Sequence, residues 1–302
     1  MVETGAGRVT VRRTPGESGA RGPAVATILL HGAAGSWTTW APLIDAAEAE
    51  RGAPIGDLVI PDLPGWGDSP ADVSRLDARA LADAVATVAR ALGYRRWRLV
   101  GHSLGGFVAL ELAAAEPEAT ESVTLISATT FGARADSAGR LRLFAAYMPL
   151  MLLDAGMRVL AGLGAAGPRL IRALDRAGLL GLLVSPLFAR RVPGVEHELG
   201  RDVRPRAFVR AVASARQYAA AERWGRIRCP VLAIHGDRDV FVPRGDDARL
   251  ASVVPDLRTV VLPRTGHFAH VEHPSLVARL CLGGHSGEES WLVSGARASV
   301  VA

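Results

Sequence analysis

Short apolar runs recur along the chain, and between most of them apolar residues return every third or fourth position. A run that is apolar throughout suits a strand buried on both faces, whereas the 3.6-residue period suits a helix with one buried side. Strands are predicted at Val25–Leu30, Asp57–Ile60, Arg96–Val100, Ser122–Ile126, Pro230–Ile234 and Arg258–Leu262. A helix is predicted over Arg75–Leu92, where Leu76, Leu81, Val85, Val88 and Leu92 share one side, and Gly93 closes it. Such alternation predicts an α/β fold, a mostly parallel twisted sheet with helices on both faces.

The alternation breaks between Phe131 and Arg226, where helical patterns follow one another at Gly139–Leu163, Pro168–Val184 and Arg206–Ala221. The stretch is too long for an ordinary loop. The expected organisation is therefore an α/β core over 1–130 and 227–302, with a helical lid inserted over 131–226. Leu143, Phe144, Met148, Leu150, Met151 and Leu152 give the lid more apolar side chains than one packed helix face requires. Residues 1–23 read as an edge strand or hairpin around Val9 and Val11 followed by a Gly/Pro-rich turn. The Gly/Ser-rich tail from Gly283 is expected to be loosely ordered.

The 302 residues are 49% hydrophobic and 22% charged, the make-up of a folded enzyme rather than a disordered chain. The net charge of +5 comes from 35 basic residues, all arginine and spread along the chain, with no nucleic-acid recognition motif among them. They read as solvated surface, and no nucleic acid is expected as a partner. Cys229 and Cys281 lie far apart in apolar segments and predict free buried thiols in a reducing compartment. Met1–Gly5 lacks the basic start and apolar core of a signal peptide. Leu141–Leu163 is interrupted by Arg142, Asp154 and Arg158, so no membrane span is expected and the protein is predicted to be cytoplasmic.

Gly101-His102-Ser103-Leu104-Gly105-Gly106 follows one predicted strand and opens a helical run from Phe107 to Glu116. In that setting Gly-x-Ser-x-Gly is a nucleophile elbow, a turn too tight for side chains beside the serine. The helix N-terminus brings N–H groups and a positive dipole end to a developing oxyanion. His31-Gly32-Ala33-Ala34-Gly35-Ser36 follows the Val25–Leu30 strand, where small residues let the backbone approach a substrate. The expected oxyanion donors are the N–H groups of Ala33 and Leu104, and His31 reads as a structural hydrogen-bonding residue. A serine nucleophile needs a base, and the base an orienting acid, in chain order Ser, acid, His. Gly266-His267 after the last strand supplies the base. Of the two acids in Gly236-Asp237-Arg238-Asp239, the Gly-x-x-Asp spacing favours Asp239 over Asp237. The other strand end where an acid might stand reads Ser127-Ala128-Thr129-Thr130 and has no carboxylate. His267, His270 and His273 form a His-x-x-His-x-x-His string, but no second ligand cluster accompanies it, so neither metal nor cofactor is expected.

Together with Asp62-Leu63-Pro64-Gly65-Trp66-Gly67-Asp68-Ser69 and Val271-Glu272-His273-Pro274, these motifs resemble the α/β-hydrolase superfamily from about Val25 to Leu282. A serine at position 103 sets the chain apart from the dehalogenase and epoxide-hydrolase branches, which carry aspartate there. The resemblance implies hydrolysis of an ester, thioester or lactone through an acyl-Ser103 intermediate. Two alternatives remain open at this point, a lyase or cyclase that uses the same groups for proton transfer and a ligand-binding receptor with weak turnover. Trp37, Trp40 and Trp66 on loops near the site, with the lid's apolar surplus, predict a largely apolar small-molecule substrate held by Trp37, Trp66, Met148 and Met151. The oligomeric state is not legible.

Overall fold

The computed structural model describes residues 1–14, 16, 24–131, 140–190, 192, 194–243, 245–282 and 299–301, with the backbone alone at 140–147, 196 and 299–301. A first strand, β1 (Val2–Thr4), pairs antiparallel with β2 (Gly7–Val9) as a hairpin. The main sheet contains β3 (Val11–Arg13), β4 (Val25–Leu30), β5 (Leu58–Pro61), β6 (Arg96–His102), β7 (Thr120–Ile126), β8 (Val231–Gly236), β9 (Leu257–Leu262) and β10 (Ser299–Val301). Their spatial order is β10-β9-β8-β7-β6-β4-β5-β3. The six central strands are parallel, and the edge strands β3 and β10 run antiparallel to β5 and β9.

Alternate residues of these strands feed two cores. Ile28, Leu30, Leu99, Val123 and Leu125 face one apolar layer, and Leu29, Val100, Ile126 and Ile234 face the other. The first layer is covered by α2 (Ala78–Ala91) and α3 (Leu104–Ala115), the second by α1 (Ala41–Arg51), α11 (Ala269–Glu272) and α12 (Pro274–Leu282). A strand buried on both sides has no room for polar alternation, which is why the sequence shows continuous apolar runs. Helix α2 begins three residues later than its apolar spacing suggests. The Asp77 side chain accepts from Ala80 N–H at 2.8 Å, so the cap sets the start, while Gly93 at φ 93° ends the turn as expected.

Between β7 and β8 the described residues contain helices and turns and no strand. They form α4 (Arg140–Gly162), α5 (Ala166–Arg176), α6 (Leu180–Val184), α7 (Val195–Asp202), α8 (Pro205–Gln217) and α9 (Ala220–Trp224). The pattern read as one helix over Pro168–Val184 is two, because Gly178 at φ 70° breaks it. Helix α10 (Asp246–Ala251) lies between β8 and β9. Buried Glu111 of α3 accepts from Tyr218 and Arg223 and so fixes the end of the helical stretch to the core. The Gly/Pro-rich turn, the tail 283–298 and the side chains of Leu143 and Phe144 lie outside the described residues.

Among the described residues no single helix is long and apolar enough to cross a membrane. Met148–Gly162 and Ala166–Arg176 reach the required length and composition only as a pair bent by 117°. Cys229 and Cys281 are both free, and burial pushes their thiols up to about 11 and about 12.

The chain passes from β4 outward to β5, then returns to place β6 on the other side of β4. At such a switch point the loops leaving the two strands diverge and open a crevice at their carboxyl ends. The loop after β4 and the turn after β6 are the two Gly-rich motifs of the sequence. Topology alone therefore brings them together.

Candidate active site

Ser103 stands at the end of β6 with φ 51° and ψ −116°, and α3 starts at the next residue. The flanking glycines answer to close backbone approach. A Cβ on Gly101 would lie 2.4 Å from Gly105 O, and one on Gly105 would lie 2.0 Å from Leu30 O. The second contact lets the N-terminus of α3 press against the end of β4, beside the loop expected to donate to an oxyanion. Ser103 N–H donates to Ile126 O at 3.0 Å, so the turn is also anchored to β7.

His267 follows β9. Its Nδ1 lies 3.0 and 3.1 Å from the two carboxylate oxygens of Asp239, which can only accept, so the proton is assigned to Nδ1 and Nε2 is left as a base. Both side chains are buried. Burial would push the Asp239 carboxyl up, but His267 and the N–H of Phe241 (2.8 Å) outweigh it and hold it below its ordinary value. Asp237 turns elsewhere and accepts from Thr265 N–H at 3.2 Å, joining the β8 and β9 loops. Ser103 and His267 line one cavity, but no Ser103–His267 hydrogen bond is formed among the described residues. The serine hydroxyl lies 3.4 Å from Thr129 Oγ1 instead. Such bonds are often long before a ligand binds. Thr129 belongs to the strand end that lacks a carboxylate, so that position supplies a hydroxyl beside the serine.

The loop after β4 is held by buried donors. His31 Nε2 accepts from Leu63 N–H at 2.9 Å, which leaves Nδ1–H to donate to Gly32 O at 2.8 Å. That carbonyl shares a peptide plane with Ala33 N–H, so the histidine sets the direction of the expected oxyanion donor. Trp66 Nε1–H donates to Ala33 O at 2.7 Å and fixes the following peptide. His102 Nε2–H donates to His267 O at 3.0 Å, while a Cβ on Gly32 would meet its Nδ1 at 2.8 Å. His102 thus packs between both loops, and burial, followed by the nearby rings of His270 and His267, holds it well below its usual pKa.

Of the side chains expected to hold substrate, Met148 lines the cavity and three do not. Trp66 is fully buried and spends its indole N–H on Ala33. Trp37 lies under the Arg12 guanidinium, 4.3 Å from its ring centre. Met151 faces outward on α4. Trp40 is core, packed on His270 with ring centres 4.7 Å apart. The histidine string does not converge, since His267 meets Asp239 and His270 sits between Trp40 and His102.

Two residues that sequence reading left without a role join the helical stretch to the site. Asp202 of α7 accepts from the Ser36 hydroxyl at 2.5 Å, next to the Ala33 loop. Glu272 accepts from Gly266 N–H (2.9 Å) with one oxygen and from Ala189 and Arg190 N–H (3.0 and 3.2 Å) with the other. Leu187 O takes His267 N–H at 2.7 Å. The segment 187–190 is thereby strapped onto the histidine loop, and Gly266 is required because a Cβ there would lie 2.4 Å from Leu187 O. Glu272→Gln replaces one acceptor with a donor facing backbone N–H. It should destabilise the protein by about 2–3 kcal/mol and lower kcat, read from urea unfolding midpoints and steady-state rates. A variant as stable and active as the parent would show the strap to be dispensable.

The cavity measures about 580 Å³, within the range of small-molecule sites. Ser103 and His267 share it with Leu153 and Leu160 of α4, Ile171 of α5 and Phe241. No Asp, Glu or Arg is among the described residues that line it.

The profile of the family described as "Alpha/beta hydrolase family" matches residues 27–280. The chain is 29% identical over 268 residues to a 2-hydroxy-6-oxononadienedioate/2-hydroxy-6-oxononatrienedioate hydrolase of Burkholderia vietnamiensis, covering 85% of each protein. It is 28% identical to the pimeloyl-[acyl-carrier protein] methyl ester esterase of Chromobacterium violaceum, covering 84% of this chain and 90% of that protein. Among solved structures, a thermophilic esterase from Thermogutta terrifontis superposes with a TM-score of 0.68 at 21% identity, over 92% of this chain and 94% of that one.

Proposed function

We propose that this chain, which belongs to the alpha/beta hydrolase family, is a serine hydrolase that cleaves an ester, thioester or lactone of an uncharged, largely apolar small molecule. The observation that carries the reading is the two-oxygen grip of Asp239 on His267 Nδ1, beside Ser103 in a cavity lined by no charged side chain among the described residues. Ser103 Oγ attacks the carbonyl carbon as His267 Nε2 takes the hydroxyl proton, and Asp239 stabilises the resulting imidazolium. The N–H groups of Ala33 and Leu104 receive the oxyanion. Collapse of the tetrahedral species passes the proton from His267 to the leaving oxygen or sulfur, and a water molecule then releases the acid from the acyl-Ser103 ester by the same steps.

Helices α4–α9, within residues 131–226, act as the lid, with Asp202 and Glu272 joining it to the two loops. The Burkholderia relative is named for a dioate, whereas the described residues that line this cavity include no arginine to meet a carboxylate, which favours neutral substrates here. On a series of p-nitrophenyl esters, each buried methylene should contribute about 0.8 kcal/mol, about fourfold in kcat/KM, until the cavity is full. A flat profile from acetate to octanoate, or a preference for charged acyl groups, would refute the apolar-substrate reading.

A further inference from the structure

The outward side of the helical insertion is unusually apolar. On α4, Met148, Met151, Leu152, Val159 and Leu163 just beyond its end are exposed at helical spacing, and Leu179, Leu182 and Leu183 extend the apolar surface around α6. Val159 is 65% exposed and Leu182 69%. Exposed apolar areas of this kind mark an interaction surface. Leu152 and Leu183 are 65% and 64% exposed although both also line the cavity, so they form its rim.

Beside this surface, α5 turns Arg169, Arg172 and Arg176 to solvent on one side of the helix, with exposed Leu170 among them. None of the three has an ion-pair partner among the described residues. The two carboxylates of this region are already engaged, Asp154 by Arg158 and Arg216, and Asp175 by His197. Apolar side chains flanked by unneutralised arginines are the make-up of a surface that lies in a lipid headgroup layer. A two-fold dimer through the same face would instead bring two copies of the arginine row onto one interface, with no free carboxylate among the described residues of α4–α6 to meet them.

We propose that this face docks onto an anionic lipid bilayer, with the α4 and α6 side chains in the interfacial layer and Arg169, Arg172 and Arg176 on headgroup phosphates. An apolar ester then enters the cavity from the lipid through the rim at Leu152 and Leu183. This last step rests on the reading of the cavity as the substrate site, whereas docking itself does not.

The test is co-sedimentation of the full chain carrying Ser103→Ala with vesicles of phosphatidylcholine alone or of an equal mixture with phosphatidylglycerol. Binding to the mixed vesicles is expected, falling as salt rises. Each arginine near an anionic surface is worth about fivefold, so Arg169→Glu, Arg172→Glu and Arg176→Glu together should weaken binding about a hundredfold or more. Val159→Asp with Leu182→Asp should abolish it. Circular dichroism shows that each set folds, and both sets made with Ser103 intact should hydrolyse a soluble short-chain ester at the parent rate. Failure to bind mixed vesicles would overturn the proposal, as would binding that neither set alters. So would a solution dimer that Leu182→Asp converts to a monomer. Lipid binding by this protein together with no ester turnover by the chain with Ser103 intact would leave docking standing and refute the hydrolase reading instead.

Discussion

Ser103→Ala is expected to lower kcat by about 10⁶-fold on the protein's own substrate, leaving only the contribution of binding and the oxyanion donors. The fold should not suffer. The hydroxyl's one hydrogen-bond approach among the described residues is to Thr129 at 3.4 Å, and it makes no helix-capping bond, so its removal should change stability by no more than about 0.5 kcal/mol. The backbone provides a second control. Ser103 holds φ 51°, which costs a residue with a Cβ but not glycine. Ser103→Gly should therefore be as inactive as the alanine variant yet more stable than it by about 1 kcal/mol. Near-normal turnover by either purified variant would exclude Ser103 as nucleophile. Equal unfolding midpoints for the two would show that the turn is not strained.

The central strands were legible because burial on both faces leaves an uninterrupted apolar run, and Val25–Leu30 has the bounds read from the sequence. The other bounds moved for local reasons. Strand β6 continues through Gly101 and His102 because both pair with β7, although neither is a strand former by composition. Strand β5 begins at Leu58 rather than Asp57, whose φ of 56° belongs to a turn. Helix α7 was missed because Val-Glu-His-Glu-Leu-Gly-Arg-Asp offers only Val195 and Leu199 to an apolar period. What places it is tertiary, since Leu199 packs with Phe268 and Val271.

The candidate site divides in the same way. Ser103, Asp239 and His267 sit in motifs whose spacing follows from strand-end geometry, and these are the residues brought to the cavity or into contact with one another. The roles of Glu272 and Asp202 depend on partners 83 and 166 residues away, which no local pattern encodes. Glu272 lay within a motif that carried the family resemblance, so its position was visible and its partner was not. Aromatic residues on nearby loops misled for a related reason. Trp66 and Trp40 are large enough to be core, and only packing shows that they support the loops rather than face the cavity.

Asp239→Asn should cost about 10⁴-fold in kcat, whereas Asp237→Asn should stay within about tenfold of the parent. The first replaces a carboxylate that accepts from His267 Nδ1 through both oxygens with an amide whose NH₂ group favours the wrong tautomer and which cannot stabilise the imidazolium. The second keeps a carbonyl oxygen for Thr265 N–H, the one side-chain bond of Asp237 among the described residues, and leaves its backbone bond to Leu262 O untouched. Stability should separate the pair as well. Because the folded protein holds Asp239 below its ordinary value, its ionised form contributes stability above the unfolded pKa of about 3.9 and loses it as pH falls through the folded value. The stability gap between the parent and Asp239→Asn should thus narrow as pH falls from about 5 to below about 4. Stopped assays on a p-nitrophenyl ester give the first comparison, and urea unfolding across that pH range the second. If Asp237→Asn were the more damaging change, the acid would be Asp237 and the contact of Asp239 with His267 structural only. If the gap instead widened as pH fell from about 5 to below about 4, the carboxyl would be held above its ordinary value, and an ionised Asp239 would not be available to stabilise the imidazolium.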